Sequence, residues 1–301
     1  MLHESHNLTT ARRKGAIAEG TGDDETAWCL CSDYRRGREV KKAVDFKAPA
    51  SLTRAVRGGP RSMCGRFVLT SPHQAMERLF DVTIGRDLPA RYNLAPGQPI
   101  LIVRRKERDG PADPPPPERE LAVVEWGLVP PWMKQRPTSR PMINARSETV
   151  ADKPAFQAAY RRRRCLVPAS GWYEWRSVGP GPKQPVFIHV PDAPLIAFAA
   201  IWERWHGPDG GNWLETVAIV TRPALPSLAP LHPRMPLVLH PGDYAPWLDP
   251  ADPPPPDLIA RLAGYPDQAF AWHPVSLRVN NVRHDDPMCV APAEDLQGSL
   301  F

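Results

Sequence analysis

No apolar run in this 301-residue chain approaches the roughly 18 consecutive residues that a membrane-spanning helix needs. The first 25 residues lack the ordered basic start, apolar centre and small-residue cleavage site of a secretory signal. Cysteine is scarce. Five of them, an odd number at irregular spacing, build no disulfide framework, and a reducing cytoplasm is the compartment they suggest. Cys29 and Cys31 flank a single residue, too short a gap for a zinc knuckle, and no second pair follows at finger spacing. Cys165 and Cys289 lie in apolar or loop contexts and read as inert. A glycine-rich phosphate loop and a dinucleotide fingerprint are both missing. A net surplus of either charge is also nearly absent from most of the chain. Of the formal net charge of +5, residues 1–63 supply 12 Lys+Arg against 8 Asp+Glu, a surplus of 4, while the rest holds 26 against 25, a surplus of 1. Binding of nucleic acid by the main part of the chain must therefore be argued from local clusters.

Proline is almost missing from the first 62 residues, where only Pro49 and Pro60 of the chain's 39 occur. That stretch has no sustained helical or strand period and carries charge clusters at 12–14 and 35–42. It reads as a disordered extension over 1–62, ahead of a single domain over 63–301. From residue 64 short apolar runs alternate with proline-rich turns. They predict strands at 65–69, 99–104, 121–125, 164–168, 185–190, 195–202, 214–220, 236–239 and 274–279. A first helix is expected from the Ser71-Pro72 cap to Phe80, a second over 154–161 and a third over 256–263. The runs DPPPPE (113–118) and DPPPPD (252–257) read as exposed polyproline-like insertions, and no internal repeat is found. Many strands, few helices and no regular βαβ alternation define an α+β domain around a mostly antiparallel sheet or open β-barrel-like core with a few peripheral helices.

Five islands are over-specified for plain structure: MCGRF (63–67), RYNLAPGQPI (91–100), WGLVPPWMK (126–134), INARSETV (143–150) with RRRRCLVPASGWYEW (161–175), and LHPRMPLVL (231–239). Together they resemble the SOS-response-associated peptidase family, whose members process abasic sites in single-stranded DNA. The resemblance runs from Cys64 to about Pro287. In that family the cysteine stands at position two and is exposed when the initiator Met is lost. Here it stands at 64, which fits either a start assigned too far upstream or an extension cut off later, including by the protein itself.

The chemistry of a freed Cys64 is specific. It is a 1,2-aminothiol, with an amine that ordinarily titrates at about 7.7–8 and a thiol at about 8.5, so both nucleophilic forms are accessible near neutral pH. The amine condenses with an aldehyde, such as that of an opened abasic deoxyribose, and the thiol then closes a thiazolidine ring. An internal Cys64 cannot do this, and taken alone it reads as a small buried hydrophobe. Glu174, flanked by Trp172, Tyr173 and Trp175, has an apolar setting that suits a general acid, and it matches the family's catalytic glutamate. His232 matches the family's catalytic histidine and would protonate the sugar oxygen. Asn144 would hold the Cys64 amine through its side-chain carbonyl; the competing reading is a cap or turn residue, a role Ser147 fits equally well. Arg66, Arg146 and Arg234 each lie within two residues of one of these groups and are placed to bind phosphates. Trp132, beside Pro130 and Pro131, would stack on a base. The matching family positions contact single-stranded DNA. Trp126 reads as a core anchor, and the Arg161–Arg164 run as a solvated charge cluster closing a helix.

The resemblance thus implies a DNA abasic-site crosslinking, lyase-type enzyme acting on single-stranded DNA. No cofactor, no metal and no membrane are expected, and the chain would be a cytoplasmic, nucleoid-associated monomer. Two alternatives stand beside it: a self-cleaving cysteine peptidase, and a noncatalytic reader of single-stranded or modified DNA.

Overall fold

The structure, a computed structural model, describes residues 65–84, 88–106, 118–137, 141–208 and 213–293. The expected extension and Cys64 itself therefore lie outside the described residues. In chain order the strands are β1 (Phe67–Leu69), β2 (Arg91–Leu94), β3 (Pro99–Arg105), β4 (Arg119–Trp126), β5 (Asn144–Arg146), β6 (Arg164–Ala169), β7 (Gly171–Arg176), β8 (Gln184–His189), β9 (Ile196–Trp205), β10 (Leu214–Pro223), β11 (Arg234–Pro236), β12 (Val238–Leu239) and β13 (Ala271–Pro274). The helices are α1 (His73–Phe80), α2 (Pro154–Arg162), α3 (Tyr244–Leu248) and α4 (Leu258–Arg261). The α+β class expected from the sequence is the class observed.

One sheet follows the order β10-β4-β3-β6-β9 and then returns to its start, because β9 also pairs with β10. The result is a closed ring of five strands. Strand directions cannot alternate all the way round an odd-numbered ring, so at least one neighbouring pair must be parallel. That pair is β4 with β10; the other four are antiparallel. The register puts Arg104, Glu120, Cys165, Ala200, Trp202 and Val217 on one face. This is the inner face, since Arg164 on the other reaches the carbonyls of Tyr160 in α2 and Trp247 in α3. Even eight-stranded barrels have interiors that side chains fill. Here the bore is closed by the Arg104 guanidinium, 4.2 Å from the Trp202 ring centre and bonded to Glu120 at 2.7 Å and Glu215 at 3.0 Å. A buried cation is tolerable because both carboxylates and an aromatic face replace its water.

The second sheet, β13-β8-β7-β1-β2, is antiparallel throughout. The chain passes from ring to sheet between β6 and β7. Ser170 marks the corner, its hydroxyl meeting the Thr70 amide at 3.0 Å and the Thr70 hydroxyl at 3.2 Å. Ring and sheet share one apolar core. The ring centre of Phe198 lies 6.0 Å from those of both Phe67 and Trp172 of the sheet, each pair edge-to-face, and the Phe67 centre lies 5.3 Å from that of Trp126. Each edge-to-face contact contributes about 0.5–1.5 kcal/mol beyond area burial. A smaller cluster of Val68, Tyr173, Phe187, Val275, Val279 and Cys289 covers the sheet's other face.

Several sequence expectations need correction. Ser71 does not cap α1: its hydroxyl donates to the Pro194 carbonyl at 3.1 Å, and the helix starts at His73 behind Pro72. The strand expected at 274–279 ends at Pro274, because the Ser276 hydroxyl accepts from the Arg278 amide at 3.1 Å and coils Leu277–Asn280 into a 3₁₀ turn. The helix expected at 256–263 is only the single turn of α4. The arginine run is solvated only in its first half. Arg161 and Arg162 grip Asp252, Arg163 pairs with the buried Glu203, and Arg164 is itself buried against backbone carbonyls.

Candidate functional site at the join of ring and sheet

Trp126, at the end of β4, organises the join. It is fully buried, as its core reading requires, and its indole N–H donates to the Ile143 carbonyl at 3.0 Å. The chain leaves β4 in a loop, closed by the Leu128–Met142 bridge, and returns as β5 on the same edge of β10. Trp126 aligns with Val217, Asn144 with Ile219 and Arg146 with Thr221. Asn144 therefore stands two positions, about 6.6 Å, beyond Trp126. On the sheet side Phe67 aligns with Trp172, and the Tyr173 amide donates to the Arg66 carbonyl at 3.0 Å. The register thus puts Glu174 across from Gly65, which has no side chain to fill the space. Glu174 and Asn144 each stand one strand period from the Phe67–Trp126 contact, and Gly65 directly follows Cys64. Glu174 is buried, 3% exposed, on the same face of β7 as Trp172.

His232 is buried just before β11, with its Nδ1 3.1 Å from the Arg234 amide and 3.0 Å from the Arg234 carbonyl. Neutral imidazole can accept from that N–H, and imidazolium can donate to that carbonyl. The ring is thus held in place in either protonation state, which suits a group that gains and loses a proton. Arg234 is anchored by a two-pronged pair to Glu148, at 2.6 and 2.9 Å, and donates to the Thr221 carbonyl at 2.6 Å. The pair holds the Glu148 carboxyl down at about 2.

The other arginines differ in availability. Arg66 donates to Asn93 Oδ1 at 2.9 Å, to the Val279 carbonyl at 2.7 Å and to the Asn280 carbonyl at 3.4 Å, and lies 5.9 Å from the centre of the Trp175 ring. Burial draws its pKa down. Arg146 is exposed, and no hydrogen bond or ion pair holds its guanidinium among the described residues. Trp132 is 63% exposed, on a loop fastened elsewhere: the Met133 carbonyl accepts from Trp205 at 2.7 Å. Trp205 aligns with Leu214, seven residues and about 23 Å along β10 from the partner of Arg146. The structure thus brings Asn144, Arg146, His232 and Arg234 to one end of β10, with Glu174 on the sheet face that packs against the ring. Arg66, opposite Tyr173, sends its side chain to the sheet's other face, and Trp132 is left at the strand's far end. Among the described residues no group of three or more His, Cys, Asp or Glu side chains assembles as a metal site. Cys165 and Cys289 are buried thiols with pKa values raised by burial.

Sequence reasoning did not single out Asn93, Glu148, Asn280 or Asp285. Asn93 is fully buried, and its Nδ2 donates to the carbonyls of Val279, Asn281 and His284. Asp285 accepts from the Arg91 side chain and from the amides of Tyr92 and Asn93. The available signals were the RYNLAP island and the dense amides and carboxylates of VNNVRHDD (279–286).

A small closed ring joined to an antiparallel sheet, with a buried carboxyl on the sheet and a buried imidazole beside the ring, is the architecture of this α+β domain. Residues 63–282 match the SRAP family, SOS response associated peptidase, and the chain belongs to that family. It is 34% identical over 230 residues to abasic site processing protein YoqW of Bacillus subtilis (strain 168), covering 75% of this chain and 97% of the relative. Abasic site processing protein YedK of Escherichia coli (strain K12) is 33% identical over 241 residues, with 76% and 100% covered. Abasic site processing protein HMCES of Gallus gallus is 35% identical over 236 residues, with 70% and 68% covered. A solved protein from Bacteroides thetaiotaomicron superposes with TM-score 0.64 at 24% identity, over 76% of this chain and 100% of that one, a likeness of fold. One from Bordetella bronchiseptica gives 0.59 at 26%, over 71% and 100%.

Proposed function

We propose that the working domain begins at Cys64 and processes abasic sites in single-stranded DNA by forming a covalent thiazolidine crosslink. The observation that carries this reading is the placement of Glu174 opposite Gly65, one strand period from the contact that also positions Asn144. The opened sugar presents an aldehyde. The Cys64 amine adds to it and loses water to give an imine, and the thiolate then adds to the imine carbon while its nitrogen takes up a proton. One water leaves in total, and no redox partner is required. Glu174 and His232 transfer the protons for ring opening and dehydration, and Asn144 orients the amine. Arg146 is the guanidinium most available for a phosphate. Arg66 and Arg234 contribute positive charge from anchored positions, and Trp132 stacks on a base several nucleotides from the lesion. Support comes from the relatives' shared description as abasic site processing proteins and from a family match whose first residue is Met63. Shielding of the lesion from strand cleavage follows from the crosslink.

The test is the intact mass of the protein purified from its own cells, before and after mixing with abasic single-stranded DNA. A chain beginning at Cys64 that gains one strand is the expected outcome, and Cys64→Ala should abolish the gain. A covalent adduct that persists in Cys64→Ala would sink the mechanism. Self-cleavage is the companion reading, since removal of residues 1–63 by Cys64 yields the same N-terminus. It predicts that Cys64→Ala retains the extension while the unmodified chain loses it.

A further inference from the structure

The RYNLAP island has no part in the chemistry above, yet it holds the most heavily bonded amide near the site. Asn93 Oδ1 takes the Arg66 guanidinium, while its Nδ2 serves three carbonyls of the segment that follows β13. A buried amide with every atom engaged is costly to replace, because each lost partner leaves a desolvated polar group behind. The segment 277–289 is gripped from several sides. Asp285 caps the amides of β2, the free edge of the sheet, and Val279 and Cys289 enter the small core. Its Asn280 faces two ways: the backbone carbonyl accepts from Arg66, and Oδ1 accepts from the Trp175 indole at 2.7 Å. Arg66 precedes β1 and lies two residues from Cys64. Trp175 follows Glu174. One strap therefore touches the residues flanking both halves of the proposed chemistry.

We propose that Asn93 and the strap 277–289 are the positioning element of the site, setting the start of β1 against Glu174 through Arg66 and Trp175. This rests on the functional reading above. The four-part chain Asn93–Arg66–Asn280–Trp175 fixes two neighbours of the reacting groups relative to each other, through bonds that span 27 residues from Arg66 to Asn93 and 105 from Trp175 to Asn280. Asn93 and Asn280 are positioning residues and need not touch the DNA.

The experiment compares the unmodified chain with Asn280→Ala, Asn280→Asp and Asn93→Asp. Three quantities are read: the crosslinking rate at saturating abasic DNA, the affinity for a strand carrying an unreactive tetrahydrofuran analogue, and the NMR resonance of the Trp175 indole proton. Asn280→Ala should lower the rate by about 10- to 100-fold, the scale of a small misplacement of reacting groups, without weakening the inert strand. Asn280→Asp keeps an acceptor for the indole and should restore the saturating rate, even where its charge weakens binding. Asn93→Asp keeps the Arg66 partner but replaces the donors to the strap by oxygen. It should slow crosslinking and shift the Trp175 resonance from across the clasp. An Asn280→Ala rate equal to that of the unmodified protein would overturn the inference. So would a loss that only tracks thermal stability and is not recovered by Asn280→Asp. If the unmodified protein forms no adduct, the functional reading fails separately. The clasp is then judged by the indole resonance alone: a shift in Asn93→Asp supports it and an unmoved signal refutes it.

Discussion

Glu148 illustrates how a single residue depends on a partner distant in sequence. Its carboxyl falls from an ordinary 4.5 to about 2 because the Arg234 guanidinium bonds it, with the Ser147 hydroxyl at 3.0 Å adding to the effect. A depressed carboxylate stabilises the fold above its unfolded pKa, and that stabilisation is lost as pH falls through the folded one. The window here runs from about 4.5 down to about 2. The Glu148 side chain is 44% exposed, so solvent screening limits the contribution to less than about 1 kcal/mol. Melting temperatures of the unmodified protein and Glu148→Gln should therefore differ by about 2–4 °C at most above pH 5. The gap should narrow as pH is lowered toward 3. A gap that stays constant over that range would show that the pair is not the source. In the sequence Glu148 is one acidic residue in a polar stretch, and nothing local points to an arginine 86 residues later.

At the scale of elements, the corner between β6 and β7 bears the most strain on sequence choice. Gly171 has φ +159, and a Cβ there would meet the Ile188 carbonyl oxygen and the Phe187 ring, each at 2.5 Å. The backbone oxygen cannot move without breaking the β7–β8 pairing. Gly171→Ala should cost about 1–3 kcal/mol, the range for overpacking, read as a lower denaturant midpoint at unchanged slope. A midpoint within error of the unmodified protein would mean that the corner relaxes. From sequence, ASGW reads as an ordinary turn, because the pressure on Gly171 comes from a strand that begins 13 residues later. The same limit explains the missed β2, β5 and β7. Two are only three or four residues long, and β7 looks like a motif before it looks like a strand. By contrast β3, β4, β6, β8, β9 and β10 carry continuous apolar runs, and all appear close to where the pattern puts them.

For the whole molecule, a surplus of only 1 positive charge beyond residue 63 leaves no general field to attract DNA. Under the proposed function, affinity for the strand must then come from particular guanidinium groups. Each phosphate neutralised on a single strand adds about −0.7 to the slope of log affinity against log salt. Arg146→Gln should reduce the magnitude of that slope by about 0.7 and weaken binding evenly across sequences. An unchanged slope would remove Arg146 from the interface. In the arginine run 161–164, Arg163 pairs with the buried Glu203 and Arg164 is buried against backbone carbonyls, which shows why counting basic residues overstates such an interface.

The α+β class, the longer strands, the buried role of Trp126 and the islands that mark the family were all legible in the amino-acid order, because they follow from local periodicity and from residue types a few positions apart. Three-dimensional packing was needed to establish that five strands close on themselves through the β9–β10 pairing, that β5 resumes the edge left by β4, and that Arg66 and Arg234 are anchored by Asn93 and Glu148. Those are matters of register between distant segments. A strand's own residues state which face is apolar, but its partner, direction and offset emerge only when the whole chain is packed.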